Sequence, residues 1–341
     1  MRIAILGCGA MGTVLGAFLT RNDIPVDMID AYKDHVDALN KDGAVISDRE
    51  NFTQKVHAIL PEEMDGIYDL VFLMTKQTAN DVVLPHLLPH LGPDSTVCTL
   101  QNGIPEPYVA SFVGKERTVG GAVHWGATFL GPGHSEITSD PARKRANNNP
   151  FFVIGEMSGE LSPRIMTVAG VLNHMGYTKV VTNLMASRWS KLITNCCGSG
   201  MSAACGCPYG GYLDSERAMD CLSYIGYEAA LTAKADGIAL DPAVYDRLFH
   251  PEKTKKFYHD IYIISPEGKA SMLQDLEAGR RTEVDMLNGY LCAAGDRHGI
   301  ETPYNDALVR IVHGMEKGEL PFSLSNLQYF PDIRYTDRDE Y

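Results

Sequence analysis

Residues 188–200 read RWSKLITNCCGSG, and three of them could do chemistry: Lys191, Asn195 and Ser199 stand at i, i+4 and i+8. On a helix that spacing places an ammonium, an amide and a hydroxyl on one face. Trp189, Ile193 and Cys196 supply an apolar face, and no charged residue follows Lys191 until Asp214. A solvated helix face would be richer in charge. Glu283 breaks the same pattern within SMLQDLEAGRRTEVDMLNGYLCAAG, residues 271–295, where it falls inside an apolar stripe of Leu276, Met286, Leu287, Tyr290, Leu291 and Ala294, with Gly279 near the same face. Charged side chains are rarely buried without a partner, so Lys191 and Glu283 are candidate partners for each other. Patterning leaves two accounts open. One is a structural ion pair, or two side chains that snorkel to water. The other is a lysine general acid and a carboxylate facing a reactive cleft.

A second constellation opens the chain. Gly7-Cys8-Gly9-Ala10-Met11-Gly12 forms G-x-G-x-x-G between the apolar run RIAILG and the helix-like Ala10–Arg21. The first glycine permits a tight turn, the second lets a pyrophosphate approach the backbone, and the third lets helix and strand pack closely. Strand, turn, helix and a later acid together are the context this motif requires. The acid is Asp30, at the end of the second strand PVDMID. A carboxylate there binds an adenosine ribose and repels a 2′-phosphate, which favours NAD over NADP. Nearby Lys33 would soften that preference, and a plain helix N-cap is the alternative role for Asp30.

These residues need a frame. Up to residue 182 apolar runs alternate with helical stretches, the pattern of a doubly wound parallel sheet in a dinucleotide-binding domain. YDLVFLMT and STVCTLQ continue the strand series, and residues 131–150 read as a loop or hairpin excursion. From residue 183 to 320 the chain reads as an all-α domain, with helical patterns at 186–204, 214–236, 270–298 and 303–317. Breaks are expected at 208–211, Pro251 and Pro266, and residues 321–341 read as a C-terminal tail.

Composition narrows the function classes. The chain has 341 residues, enough for two domains, and a net charge of −13, which argues against nucleic acid or anionic membranes as partners. No apolar run approaches the roughly 18 residues of a membrane helix. The first apolar run is too short for a signal peptide and reads as a buried strand. Eight scattered cysteines without a CxxC pair read as reduced thiols of a cytoplasmic enzyme. No metal site is expected. The Cys196–Cys207 cluster has no neighbouring histidine, and prolines interrupt the His86/His90 pair.

Taken together, GCGAMG, the lysine in FLMTKQ, LQNG, RWSKLITN, CPYG and SMLQDLEAGRRTEVDMLNG resemble the ketopantoate reductase (2-dehydropantoate 2-reductase) family over nearly the whole chain. The resemblance implies a Rossmann domain followed by a helical domain, with the active site in the cleft between them. It implies Lys191 as general acid, Glu283 orienting the reacting group, and Ser271 contacting a substrate carboxylate. Asn195 would hydrogen-bond the substrate, while Lys76 and Asn102 would line the cofactor side. Relatives are often dimers, so a homodimer is the assembly the resemblance suggests. Two substrate positions depart from the family, which usually carries asparagines where Ser199 and Tyr209 stand here. Asp30 likewise replaces the basic residues that usually serve NADPH. The expectation is retained hydride chemistry with NAD on a different small carboxylated substrate, a 2-oxo acid or related ketone and its alcohol. Authentic 2-dehydropantoate 2-reductase is one alternative, and a non-catalytic dinucleotide sensor is another.

Overall fold

The structure, a computed structural model, describes residues 1–333. The chain divides into two compact units, Met1–Leu184 and Met185–Tyr341.

The first unit is built on β1 (Ile3–Leu6), β2 (Val26–Ile29), β3 (Ala44–Asp48), β4 (Phe52–Gln54), β5 (His57–Ile59), β6 (Tyr68–Leu73), β7 (Leu91–Thr99), β8 (Thr118–Val123), β9 (Ala127–Gly131), β10 (His134–Ile137), β11 (Phe152–Glu156) and β12 (Thr178–Val180). The main sheet runs β12-β11-β8-β7-β6-β1-β2-β5. Its segment β5-β2-β1-β6-β7-β8 is parallel throughout and has the strand order of a Rossmann sheet. Strands covered on both faces need no alternation, so β1 reads as the unbroken IAIL, with all four residues buried. Helix α1 (Ala10–Arg21) buries Val14, Leu15, Phe18 and Leu19 in the same core.

Two features depart from a simple parallel sheet. β11 pairs antiparallel to β8. Parallel neighbours need a crossover over the sheet, and the chain between these two strands is instead spent elsewhere. It builds the β9–β10 hairpin and the short helix Pro141–Ala146, within the stretch read as an excursion. β10 also pairs with β3, completing a second sheet, β4-β3-β10-β9, against α1.

The second unit is helical, and some of its breaks differ from those expected. The 186–204 pattern becomes helix Leu184–Thr194, a π-helical segment Asn195–Ser199, and helix Gly200–Cys205. The 270–298 pattern is not one helix. Ser271–Glu277 stops where Gly279 adopts φ +64°, its N–H donating to the Leu276 carbonyl, and helix Asn288–His298 starts afresh. The break expected at Pro251 is present, since one helix ends at Phe249 and Pro251 opens the next, Pro251–Tyr262. Pro242 likewise opens helix Pro242–Phe249, capped by Asp241. Proline suits the first helical turn because its missing N–H would be unsatisfied there anyway. The expected tail starts too early. Leu324–Tyr329 form a 3₁₀ segment followed by Phe330; Leu327 and Phe330 are buried, and Asn326 donates to the carbonyls of Ala204 and Pro321. The tail from residue 334 lies outside the described residues.

Candidate functional site

In the first unit the glycine-rich turn leaves β1 beside the loop leaving β6, where the strand order reverses. Gly7 has φ +99°, and a Cβ there would lie 2.4 Å from the Thr75 nitrogen. A Cβ on Gly12 would lie 2.1 Å from the Gly7 carbonyl oxygen, whereas the space around Gly9 is open and Gly9 itself is exposed. Ala10 and Met11, half-buried, begin α1. This is a cradle that a side chain would fill and a pyrophosphate fits.

Asp30 faces the same turn. Its Oδ2 accepts the Cys8 N–H at 2.8 Å and its Oδ1 accepts the Tyr32 N–H at 2.9 Å. It is not the cap of helix α2 (Lys33–Asp42), whose N-cap is Tyr32 without a side-chain bond. Lys33 points along α2 to Asp37, at 2.6 Å, rather than toward Asp30. On the neighbouring loops Lys76 precedes a 3₁₀ turn, and Gln77 donates to the Asn102 carbonyl at 2.6 Å. Gln101, which sequence reasoning passed over, joins these loops by donating to Thr75 and Asn80.

In the second unit Lys191 sits on the helix anchored by Trp189, whose buried ring meets Tyr290 edge-on. The residue is half-buried. Desolvation lowers its pKa to about 7, helped by the positive charge of Arg188 and opposed by the negative charge of Glu283. Arg188, three residues earlier and 1% exposed, is the functional neighbour that the sequence reading missed. Its i, i−3 spacing to Lys191 was the available signal.

Asn195–Ser199 form a π-helical segment that follows directly on the helix carrying Lys191. The one-residue insertion of a π turn keeps Ser199, eight residues on, close to the face of Lys191. Lys191 and Asn195 are half-buried, whereas Ser199 is 8% exposed and its Oγ is buried without a hydrogen-bond partner. Tyr209 stacks on Tyr262 at 4.0 Å, and burial raises its pKa to about 12. Ser271 is exposed as the first residue of its helix.

Glu283 lies on a turn rather than on a helix stripe, 8% exposed, just before the 3₁₀ segment Val284–Met286. That turn is clamped by His313. Its Nε2 is 2.8 Å from Asp285 and its Nδ1 is 2.8 Å from Glu316, which also accepts the Thr282 N–H at 2.7 Å. Burial opposes charge on His313, but the two carboxylates outweigh it and hold its pKa above the ordinary value. A raised folded-state pKa contributes stability that is complete below about pH 6.5 and lost as pH rises through the raised value. His313→Gln is therefore expected to lose stability against urea at pH 6 and much less at pH 9. Equal losses at both would count against the clamp being ionic.

Among the described residues no group of three or more His, Cys, Asp and Glu could hold a metal, and all eight cysteines are free. No helix there is long and apolar enough to cross a membrane.

A Rossmann unit with a glycine cradle, joined in one chain to a helical unit carrying a low-pKa lysine, defines a nucleotide-dependent oxidoreductase. The sequence matches "Ketopantoate reductase PanE/ApbA" over residues 3–146 and "Ketopantoate reductase PanE/ApbA C terminal" over residues 183–316, and the chain belongs to the ketopantoate reductase family. It is 25% identical over 319 residues to a 2-dehydropantoate 2-reductase of Streptococcus pyogenes serotype M3, covering 93% of this chain and 98% of that protein. A ketopantoate reductase of this family from Ralstonia eutropha superposes with a TM-score of 0.80 at 27% identity, covering 94% of this chain and 99% of the other. D-Mandelate dehydrogenase, solved with NADH and anilino(oxo)acetate, shares the fold with a TM-score of 0.81 at 24% identity, over 94% and 99% of the two chains. The protein is an NAD(P)-dependent oxidoreductase acting on a ketone or alcohol, not a non-catalytic sensor.

Proposed function

We propose that the protein interconverts a 2-oxo acid, or a related carboxylated ketone, with its alcohol, using NAD(H) and Lys191 as general acid and base. The observation that carries this reading is the lysine pKa of about 7, which lets one group give and take a proton near neutral pH. A bound reduced nicotinamide supplies the hydride. As the carbonyl carbon gains that hydride, the Lys191 ammonium donates its proton to the carbonyl oxygen, leaving an alcohol and a neutral amine. Arg188 and desolvation make release of the proton easier, while Glu283 keeps enough ammonium present at neutral pH. Asn195 and Ser271 bind the substrate, Glu283 orients it, and Tyr209 bounds its side chain. Ser199, whose buried Oγ has no hydrogen-bond partner, stands with them as a substrate-binding residue. Gly7–Gly12 hold the pyrophosphate, with Lys76 and Asn102 on the neighbouring loops. A homodimer in the cytoplasm completes the reading.

The stacked Tyr209 ring cannot reproduce a side-chain amide, which supports a substrate other than ketopantoate. Authentic 2-dehydropantoate 2-reductase activity is the second reading, favoured by the names of the curated relatives. Initial rates with NADH and NADPH on ketopantoate and a panel of 2-oxo acids separate the two. The first reading expects another 2-oxo acid to surpass ketopantoate in kcat/KM, and ketopantoate as the best substrate would overturn it.

Cofactor choice has its own test. Asp30→Ala removes the charge that would face a 2′-phosphate, so KM for NADPH relative to NADH is expected to fall about tenfold or more. Its KM for NADH should rise as well, because the Cys8 N–H loses its acceptor. An unchanged NADPH/NADH ratio would remove Asp30 from cofactor selection.

A further inference from the structure

We propose that His35 is a positioning residue for the cofactor pyrophosphate, acting through the Cys8–Gly9 peptide of the glycine-rich turn. The inference rests on the reading that this turn is the pyrophosphate cradle.

His35 lies on α2 and is 1% exposed. Its Nδ1 accepts the backbone N–H of Gly133 at 2.9 Å. A backbone amide can only donate, so Nδ1 carries no hydrogen and Nε2 carries it. Nε2 stands 2.7 Å from the Cys8 carbonyl oxygen and 3.1 Å from the Thr13 hydroxyl, and that hydroxyl also donates to the Cys8 carbonyl at 2.6 Å. The tautomer is thus set by the hairpin turn on one side and used by the glycine-rich turn on the other. Tyr32 stacks at 6.5 Å and Phe129 meets the ring edge-on at 5.1 Å, which holds its plane.

The consequence appears one atom further on. No peptide bond in the described chain is cis. In a trans peptide the C=O and the following N–H point in opposite directions. Two donors draw the Cys8 carbonyl inward, so the Gly9 N–H is turned outward, at an exposed residue with open space around it. Asp30 holds the other side of the same residue by accepting the Cys8 N–H. His35 therefore aims a backbone donor at the place where an anionic oxygen would sit. It also links that donor to the second sheet, because the Gly133 carbonyl accepts the Val45 N–H at 2.8 Å.

Three variants test this. His35→Gln keeps an N–H able to reach the Cys8 carbonyl. His35→Asn keeps an acceptor for Gly133 but falls short of Cys8, and His35→Leu keeps neither. The readouts are the NADH dissociation constant from cofactor fluorescence, the split between kcat and the KM for NADH, and melting temperature. Asn and Leu are expected to weaken NADH about five- to tenfold, the worth of one hydrogen bond, with kcat at saturating NADH nearly unchanged. Gln is expected to restore binding. If Leu does not fold, the Gln/Asn contrast carries the same test. NADH affinity that is wild-type in Asn, or that tracks melting temperature equally across the variants, overturns the proposal. Wild-type protein that binds neither NADH nor NADPH overturns the cradle reading, and this proposal with it.

Discussion

Replacing Lys191 by alanine is expected to lower kcat for ketone reduction by about 10²–10⁴-fold, the usual worth of a positioned acid–base group. The KM for NADH should move little, because the cradle residues lie in the other unit. The wild-type pH profile carries the sharper signature. Reduction consumes the ammonium, so its kcat/KM should be flat below pH 7 and fall above the lysine pKa of about 7. Alcohol oxidation needs the neutral amine, so its profile should rise through the same value. An ordinary lysine would place both limbs near pH 10.4. Wild-type turnover by the alanine variant, or pH limbs absent from the neutral range, would remove Lys191 from the chemistry and leave it a structural charge.

Gly12→Ala should be nearly as damaging at the other site. The added methyl would come within 2.1 Å of the Gly7 carbonyl oxygen, a backbone atom that no rotamer change can move aside. Gly7 cannot yield either, because its own position lies against the Thr75 backbone. The first turn of α1 must then lift away from β1. The cost should reach or exceed the ~1–3 kcal/mol of ordinary overpacking, read as a lower urea midpoint. Binding of either nicotinamide cofactor should fall at least about tenfold, because the same shift displaces the turn. Gly9→Ala is the internal control for stability, since a Cβ there meets nothing within 4 Å. Equal stability of the two variants would contradict the packing argument.

Much of the first unit was legible because its signals are local. An apolar run buried on both faces, a glycine that must turn and an acid at a strand end are all encoded within a few residues, as in β1, Gly7 and Asp30. In the second unit, charge within apolar patterning singled out Lys191 and Glu283, and the family motifs implied their roles. The errors fall where periodicity was extended too far. The run 270–298 keeps an apolar rhythm across a left-handed glycine, and helical periodicity cannot report that the backbone has stopped. The break at Pro251 was legible, but the helices on either side of it, Pro242–Phe249 and Pro251–Tyr262, were not.

The sequence by itself determined the fold class, the glycine cradle and the residue types that could move a proton. Tertiary structure decided how those groups behave. Desolvation beside Arg188 brings Lys191 to a useful pKa, and desolvation depends on everything packed around the ammonium rather than on its neighbours in the chain. The π segment at Asn195–Ser199 is likewise a product of the folded chain. A Cβ on the adjacent Gly198 would meet the Tyr262 hydroxyl at 1.7 Å, so the bare helix surface there is matched to a ring from another helix. His35 acquires its role only when a hairpin turn nearly a hundred residues away supplies the N–H that fixes its tautomer. Local patterns choose elements; the charge state, orientation and reach of a side chain are set by contacts that only the folded chain brings together.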